Sequence, residues 1–270
     1  MLNHQQAPTI KLIPLLESQN GIVLSWIQNP SLTQYNLCYS HRLDKGIDIL
    51  RLQNAMLRAT ESHDIFKTRI VQKEDGFYQY TDAQISFSVK VSSMTEAEYD
   101  HYKRTFIRPF NLFEDVLIRQ EIIQTEATIY ALVDMHHIIS DGITLTLFWN
   151  DVDHIYQGGE PEIDDHLELA VEREQASFKS PEYELTKQYC LKTFSGLDIT
   201  HIPTQTPHAI GALRTVITFM PREIVDTFCK KYHISPNMLF MTANALAVSA
   251  FSGEEKVMID ALYHAVLTKI

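Results

Sequence analysis

The stretch TIYALVDMHHIISDGIT, residues 128–144, decides how this chain is read. Its first half is β-branched and apolar over a strand's length and suits a buried strand. The second half changes character. His136 and His137 are followed by Asp141-Gly142 and Thr144, which favour a turn into a helix. The histidines therefore stand at a strand end, where a sheet holds a side chain rigidly and a crevice can open beyond it. Successive strand residues face opposite sides, so only one of the pair can enter a given pocket. An imidazole titrates nearest neutrality of all side chains, and these residues alone leave open both proton transfer and a purely structural role. A metal site made of either histidine with Asp141 lacks a third ligand in the local sequence.

Working outward, VLIRQEIIQ (116–124) reads as a strand paired with 128–137 across a short polar turn, and TLTLFWNDVDHIYQGG (144–159) as a helix closed by Gly158-Gly159. Upstream, LESQNGIVLSWIQN (16–29) spaces Ile22, Val23, Trp26 and Ile27 as an amphipathic helix, and QYNLCYSHRL (34–43) alternates as a strand. Ile49, Leu52, Ala55, Met56 and Ala59 make the stripe of a second helix. FKTRIVQKEDGFYQY (66–80) reads as a hairpin turning at Asp75-Gly76, ISFSVKV (85–91) as a further strand, and Thr95-x-x-Glu98 as the capping box of a third helix. Strands and helices are mixed, with hairpins beside crossovers, which predicts an α/β (α+β) two-layer sandwich with a mixed sheet.

Residues 1–165 form the first lobe in this reading. Residues 166–212 form a helical and then extended connector, whose Pro203, Pro207 and Gly211 mark the boundary. Residues 213–270 begin a second lobe: a strand at 213–220, a helix opened by Pro221, a helix with Ser235 as N-cap and Pro236 at its first position, and a strand at 256–265.

Composition excludes several partner classes. With 34 acidic and 23 basic residues the formal charge is −11, without the clustered Lys and Arg that nucleic acid or an anionic membrane requires. No apolar run approaches the roughly 20 residues of a membrane span, and the N-terminus has no basic region ahead of an apolar core. Cys38, Cys190 and Cys229 are far apart and odd in number, the pattern of reduced thiols in a cytoplasmic protein.

The segment His136-His137-Ile138-Ile139-Ser140-Asp141-Gly142 resembles the HHxxxDG motif of the condensation domains of nonribosomal peptide synthetases, within the chloramphenicol-acetyltransferase-like superfamily. Three further stretches agree in order and spacing over residues 10–265. IPLLESQNGI (13–22) resembles the family's opening, SHDIFKTRI (62–70) its RHxxLRTxF box, and RPFNLFEDVLIRQEI (108–122) the FDL…PLxR element before the motif strand. Aspartates replace the histidines in cyclization relatives, and an aromatic-rich run follows the Asp-Gly in epimerization relatives; this chain has neither.

The resemblance implies two related lobes with a tunnel between them. His137 is then the catalytic residue that removes or positions a proton of the attacking amine, and the Gly142 N–H stabilises a developing oxyanion. His136 and Asp141 hold the loop. Lys67 stands where the family's arginine pairs with the motif aspartate, with Arg69 and Arg119 as alternatives, and Ser62 replaces the box's first arginine. The activity implied is amide-bond formation between carrier-bound thioesters, with no metal and no directly bound cofactor. The phosphopantetheine arms of peptidyl or acyl carrier domains supply the substrates, and an adenylation domain is the neighbour. A standalone thioester-dependent acyltransferase and an inactive carrier-binding module are the competing readings. Because the family pattern continues beyond ALYHAVLTKI (261–270), the second lobe is expected to be incomplete, and residues 213–265 either to self-associate or to be only marginally ordered.

Overall fold

The computed structural model describes residues 10–196 and 220–259. In chain order the elements are β1 (Ile13–Pro14), α1 (Glu17–Gln28), β2 (Asn36–Leu43), α2 (Ile49–Glu61), a 3-10 turn at Asp64–Lys67, β3 (Thr68–Lys73), β4 (Gly76–Thr81) and β5 (Val89–Ser93). Then follow α3 (Glu96–Phe106), β6 (Ile118–Gln124), β7 (Ile129–His136), α4 (Gly142–Tyr156), α5 (Leu167–Ser177), α6 (Pro181–Phe194), α7 (Arg222–Tyr232) and α8 (Pro236–Ser252). These residues group into two units, one ending at Tyr183 and the other beginning at Glu184. No single helix among the described residues is long and apolar enough to cross a membrane.

In the second unit α7 and α8 meet at 94°. His233 makes the corner in the left-handed conformation at φ 53, and Ile234 N donates to Cys229 O at 3.1 Å. Ser235 then caps α8 by accepting from Met238 N, with Pro236 at the first helical position as predicted. The strand expected at 213–220 falls, but for Met220, outside the described residues, as does most of that expected at 256–265, whose described part, 256–259, is not a strand.

The first unit carries the α/β class with sheets of mixed orientation. One sheet runs β1-β4-β3; the other runs β2-β7-β6-β5, antiparallel except where β5 lies parallel to β6. β7 is buried on both faces, which explains its nearly unbroken apolar run. Ala131, Val133 and Met135 join Ile122 of β6, the predicted α2 stripe and Phe148, Val152 and Ile155 of α4 in one core. Leu132 and Ile123, on the opposite face, pack with Tyr99 and Phe106 of α3. The helix α3 thus adds cover on the face that two layers would have left open. Thr95 caps it through the expected box, accepting from Glu98 N while Thr95 N donates to Glu98 Oε2 at 2.7 Å.

Two expectations are corrected. The β3–β4 hairpin turns at Glu74-Asp75, one residue early: Lys73 and Gly76 already face each other across the ladder. Gly76 takes φ +153 as the first residue of β4, so its freedom serves the strand entry. The first unit also extends past residue 165. Asp164 N donates to Ser62 O and Asp64 N to Asp164 O, each at 2.9 Å, and the following α5 packs on β1 with Val171 buried.

Asp134, the one charge in the β7 run, is fully buried opposite Arg119 on β6. It accepts from Arg119 Nη1 at 3.0 Å and from Asn36 Nδ2 at 2.9 and 3.0 Å. Arg119 also donates to Arg108 O and Pro109 O and lies 3.4 Å over the Phe110 ring, tying the loop before β6 to the sheet. Burial pushes the Asp134 carboxyl above its usual range, while Asn36 and Arg119 pull it back. Removing one partner of a buried pair strands the other charge. Asp134→Ala is expected to cost about 3–5 kcal/mol in urea unfolding, and Asp134→Leu combined with Arg119→Met is expected to cost less than that single change.

Candidate active site

The chain leaves β7 through a turn built around His136. That ring is 2% exposed, beside Phe110 and Tyr35. Ile138 N donates to its Nδ1 at 3.2 Å, and Ile139 N and Ser140 Oγ both donate to His136 O at 3.0 Å. A nitrogen that accepts a backbone N–H carries no proton, so the ring is the neutral tautomer with its proton on Nε2. Burial, with His137 and Arg119 adding positive charge nearby, lowers the His136 pKa from 6.5 to about 4.

His137 behaves oppositely. Its backbone N–H donates to Tyr35 O at 2.7 Å, and its side chain is exposed. The adjacent histidines thus divide at the strand end, one ring inside the fold and one exposed on the turn beyond it.

Asp141 is the N-cap of α4, accepting from Thr144 N and Thr144 Oγ1 at 2.8 Å each. Gly142 is the first residue of that helix. A Cβ built there meets no described atom within 4 Å, and no positive φ calls for glycine. What a side chain would obstruct is approach to the backbone at the helix N-terminus, where N–H groups point outward and favour negative charge. Beside the loop lies a hollow of about 320 Å³, mostly apolar, lined by Leu16, Phe66, Ile139, Leu147 and Leu167, with His63 among its polar groups. His63 Nε2 is 2.8 Å from Asp151 Oδ2.

The family model for the condensation domain matches residues 10–265. The chain belongs to the condensation-domain family. This condensation domain is 26% identical over 242 residues to bacitracin synthase 1 of Bacillus licheniformis, covering 86% of this chain and 5% of that protein. It is 30% identical over 176 residues to surfactin synthase subunit 2 of Bacillus subtilis (strain 168), covering 63% of this chain and 5% of that protein. The chain therefore spans about a twentieth of the length of these relatives. Among solved structures, the starter condensation domain of rhizomide synthetase superposes with a TM-score of 0.76 at 20% identity, over 91% of this chain and 60% of that one. The first condensation domain of the calcium-dependent antibiotic synthetase gives 0.72 at 15%, over 90% and 62%. These two share the fold.

His136, His137, Asp141 and Gly142 share one turn of this condensation domain, and each of the three cations expected near it has a carboxylate partner elsewhere. Lys67 Nζ meets Asp64 Oδ1 at 3.0 Å, Arg69 Nε meets Asp82 Oδ2 at 3.4 Å, and Arg119 meets Asp134. Residue reading passed over Asp134, Tyr35, Asn36 and His63; a charge inside an apolar strand was the one signal pointing to the first of them. Cys38, across the ladder from Asp134, is no nucleophile, since burial and that carboxylate push its thiol up to about 11. Among the described residues no group of His, Cys, Asp or Glu is arranged to hold a metal ion.

The buried imidazole makes stability depend on pH. Its folded pKa of about 4 lies below the unfolded value of 6.5, so the unfolded chain binds the proton first as pH falls. Its contribution is full above pH 6.5 and is lost progressively down to about pH 4, on the order of 3 kcal/mol in all. His136→Asn keeps an acceptor for Ile138 N without a titrating ring. Denaturant unfolding at pH 7 and pH 5 is expected to show a smaller loss for that variant than for the parent.

Proposed function

We propose that this condensation domain joins a donor thioester to an acceptor amine, each carried on the phosphopantetheine arm of a carrier domain. The amine nitrogen attacks the thioester carbonyl, the C–S bond breaks, and the proton leaving nitrogen ends on the departing thiol sulfur. The observation that carries this reading is the division of labour in the motif turn. A neutral, buried His136 shapes the backbone, and an exposed His137 stands next to the N-terminus of α4. His137 is the group that takes or orients the amine proton, a task suited to an imidazole near neutrality. The Gly142 N–H, at the start of α4 with clear space on its Cα, is the donor for the oxyanion that forms as the carbonyl is attacked. Asp141 has a structural part, holding α4 in place as its N-cap. Lys67, Arg69 and Arg119 brace the surrounding loops through Asp64, Asp82 and Asp134.

The relatives are peptide antibiotic and surfactin synthases of which this chain matches a small part. Carrier domains on either side and an adenylation domain in the same synthetase are the partners this reading requires. A standalone acyltransferase would instead transfer from soluble thioesters.

In the full synthetase, His137→Ala is expected to reduce amide formation from carrier-loaded substrates by about 100-fold or more. The thermal midpoint should stay unchanged, since an exposed ring contributes little packing. Turnover near that of the parent would overturn the assignment, and equal rates with soluble thioesters would move the domain to the standalone class.

A further inference from the structure

An exposed catalytic ring has no packing to hold it, so its aim is set by its backbone. The peptide groups around His137 are fixed by the two hydrogen bonds to His136 O already described and by three more. His137 N donates to Tyr35 O, Ile138 N donates to His136 Nδ1, and Ile138 O accepts from Gln19 Nε2 at 2.9 Å. The third of these comes from Gln19, 119 positions away, within the stretch IPLLESQNGI that resembles the family's opening.

Gln19 lies in the first turn of α1 and is 4% exposed. Its Oε1 accepts from Leu16 N at 2.9 Å and from Gln79 Nε2 at 2.8 Å, while its Nε2 donates to Ile138 O and to Gln79 Oε1 at 3.1 Å. Both acceptor sites and both protons of the amide are used. The assignment of O and N is fixed, because Leu16 N can only donate and Ile138 O can only accept. Gln79, on β4 and fully buried, completes a reciprocal amide pair and donates to Pro14 O at 3.3 Å. The motif turn, which extends from the second sheet, is thus held by Gln19 of α1, and Gln19 in turn is paired to Gln79 of the first sheet.

We propose that Gln19 is a positioning residue for the reaction: by holding the Ile138 carbonyl it sets the backbone from which His137 reaches the amine. This rests on the role of His137 given above. An apolar replacement of the same length leaves the Ile138 carbonyl without this donor in a buried place, and the turn must shift to satisfy it. A shift of about 1 Å at a reacting group is enough to lose up to about 100-fold in rate.

The test uses the full synthetase with carrier-loaded substrates and compares Gln19→Met, Gln79→Met and each combined with His137→Ala. Gln79→Met removes the amide pair but leaves the bond to Ile138, so it serves as the control for lost stability. Gln19→Met is expected to lower kcat by about 10- to 100-fold with KM for both carriers within about twofold. Gln79→Met should keep kcat within about threefold of the parent at a similar loss of thermal midpoint, and Gln19→Met should add nothing once His137 is alanine. Gln19→Glu is the second variant. Its buried carboxyl can donate to Ile138 O only when protonated, so its kcat relative to the parent should rise as pH is lowered from about 9 to about 6. Equal kcat losses in Gln19→Met and Gln79→Met, a further loss on top of His137→Ala, or a flat pH ratio for Gln19→Glu would overturn the proposal. Full turnover of His137→Ala alone would instead refute the role of His137, a separate outcome.

Discussion

The bond from Ile138 N to the Nδ1 of His136 is the constraint on which the site turns. A protonated ring has no lone pair there to accept with, so that bond forms only with a neutral imidazole. Burial supplies that neutrality: the ring sits between Phe110 and Tyr35, and protonation would also bring its charge close to Arg119. Arg119 is itself fixed by Asp134, two residues back on the same strand. Strand, buried ring and motif turn therefore form one connected piece. His137, the first residue past β7, has its side chain exposed where the strand gives way to the turn.

Much of this was legible in the residues. Period and capping located α1, α2, α3, α7 and α8, and the apolar run of β7 announced a strand buried on both faces. The turn after it was visible as Asp-Gly next to Thr144. What stayed hidden depends on register or on distant partners. Arg119 and Asp134 meet because they are directly opposite across β6 and β7, a fact about strand alignment that neither strand's composition contains. Lys67 meets Asp64, three residues before it in a tight turn, a local pairing that motif spacing does not display. Gln19 lies in the stretch that resembles the family's opening, but Gln79 and Ile138, which its buried amide meets inside the fold, are 60 and 119 positions away. The hairpin was displaced by one residue because Gly76 serves the first pleat of β4 instead of the loop.

The two sheets of the first unit also divide the work. The four-stranded sheet carries the core and places the motif at the end of a central strand, where both neighbours restrain it. The three-stranded sheet contributes little to that core, but through Gln79 and Gln19 it reaches the carbonyl just beyond the second histidine. An active-site loop held from two sheets can keep its geometry although its working side chain is surrounded by solvent. This is the pattern expected of a preorganised site, in which rigidity resides in the backbone and its polar contacts.

The pairing of β2 with β7 has a consequence for how such a domain is made. Asn36 meets Asp134 across 98 residues of intervening chain. At the usual pace of synthesis, about 5–20 residues per second, β2 leaves the ribosome roughly 5–20 s before its partner. During that interval its hydrogen-bonding edge is unpaired and the histidine turn does not yet exist. The site thus forms only after β7 has been made, and a nascent chain paused between these strands presents an open β edge to chaperones or to other chains.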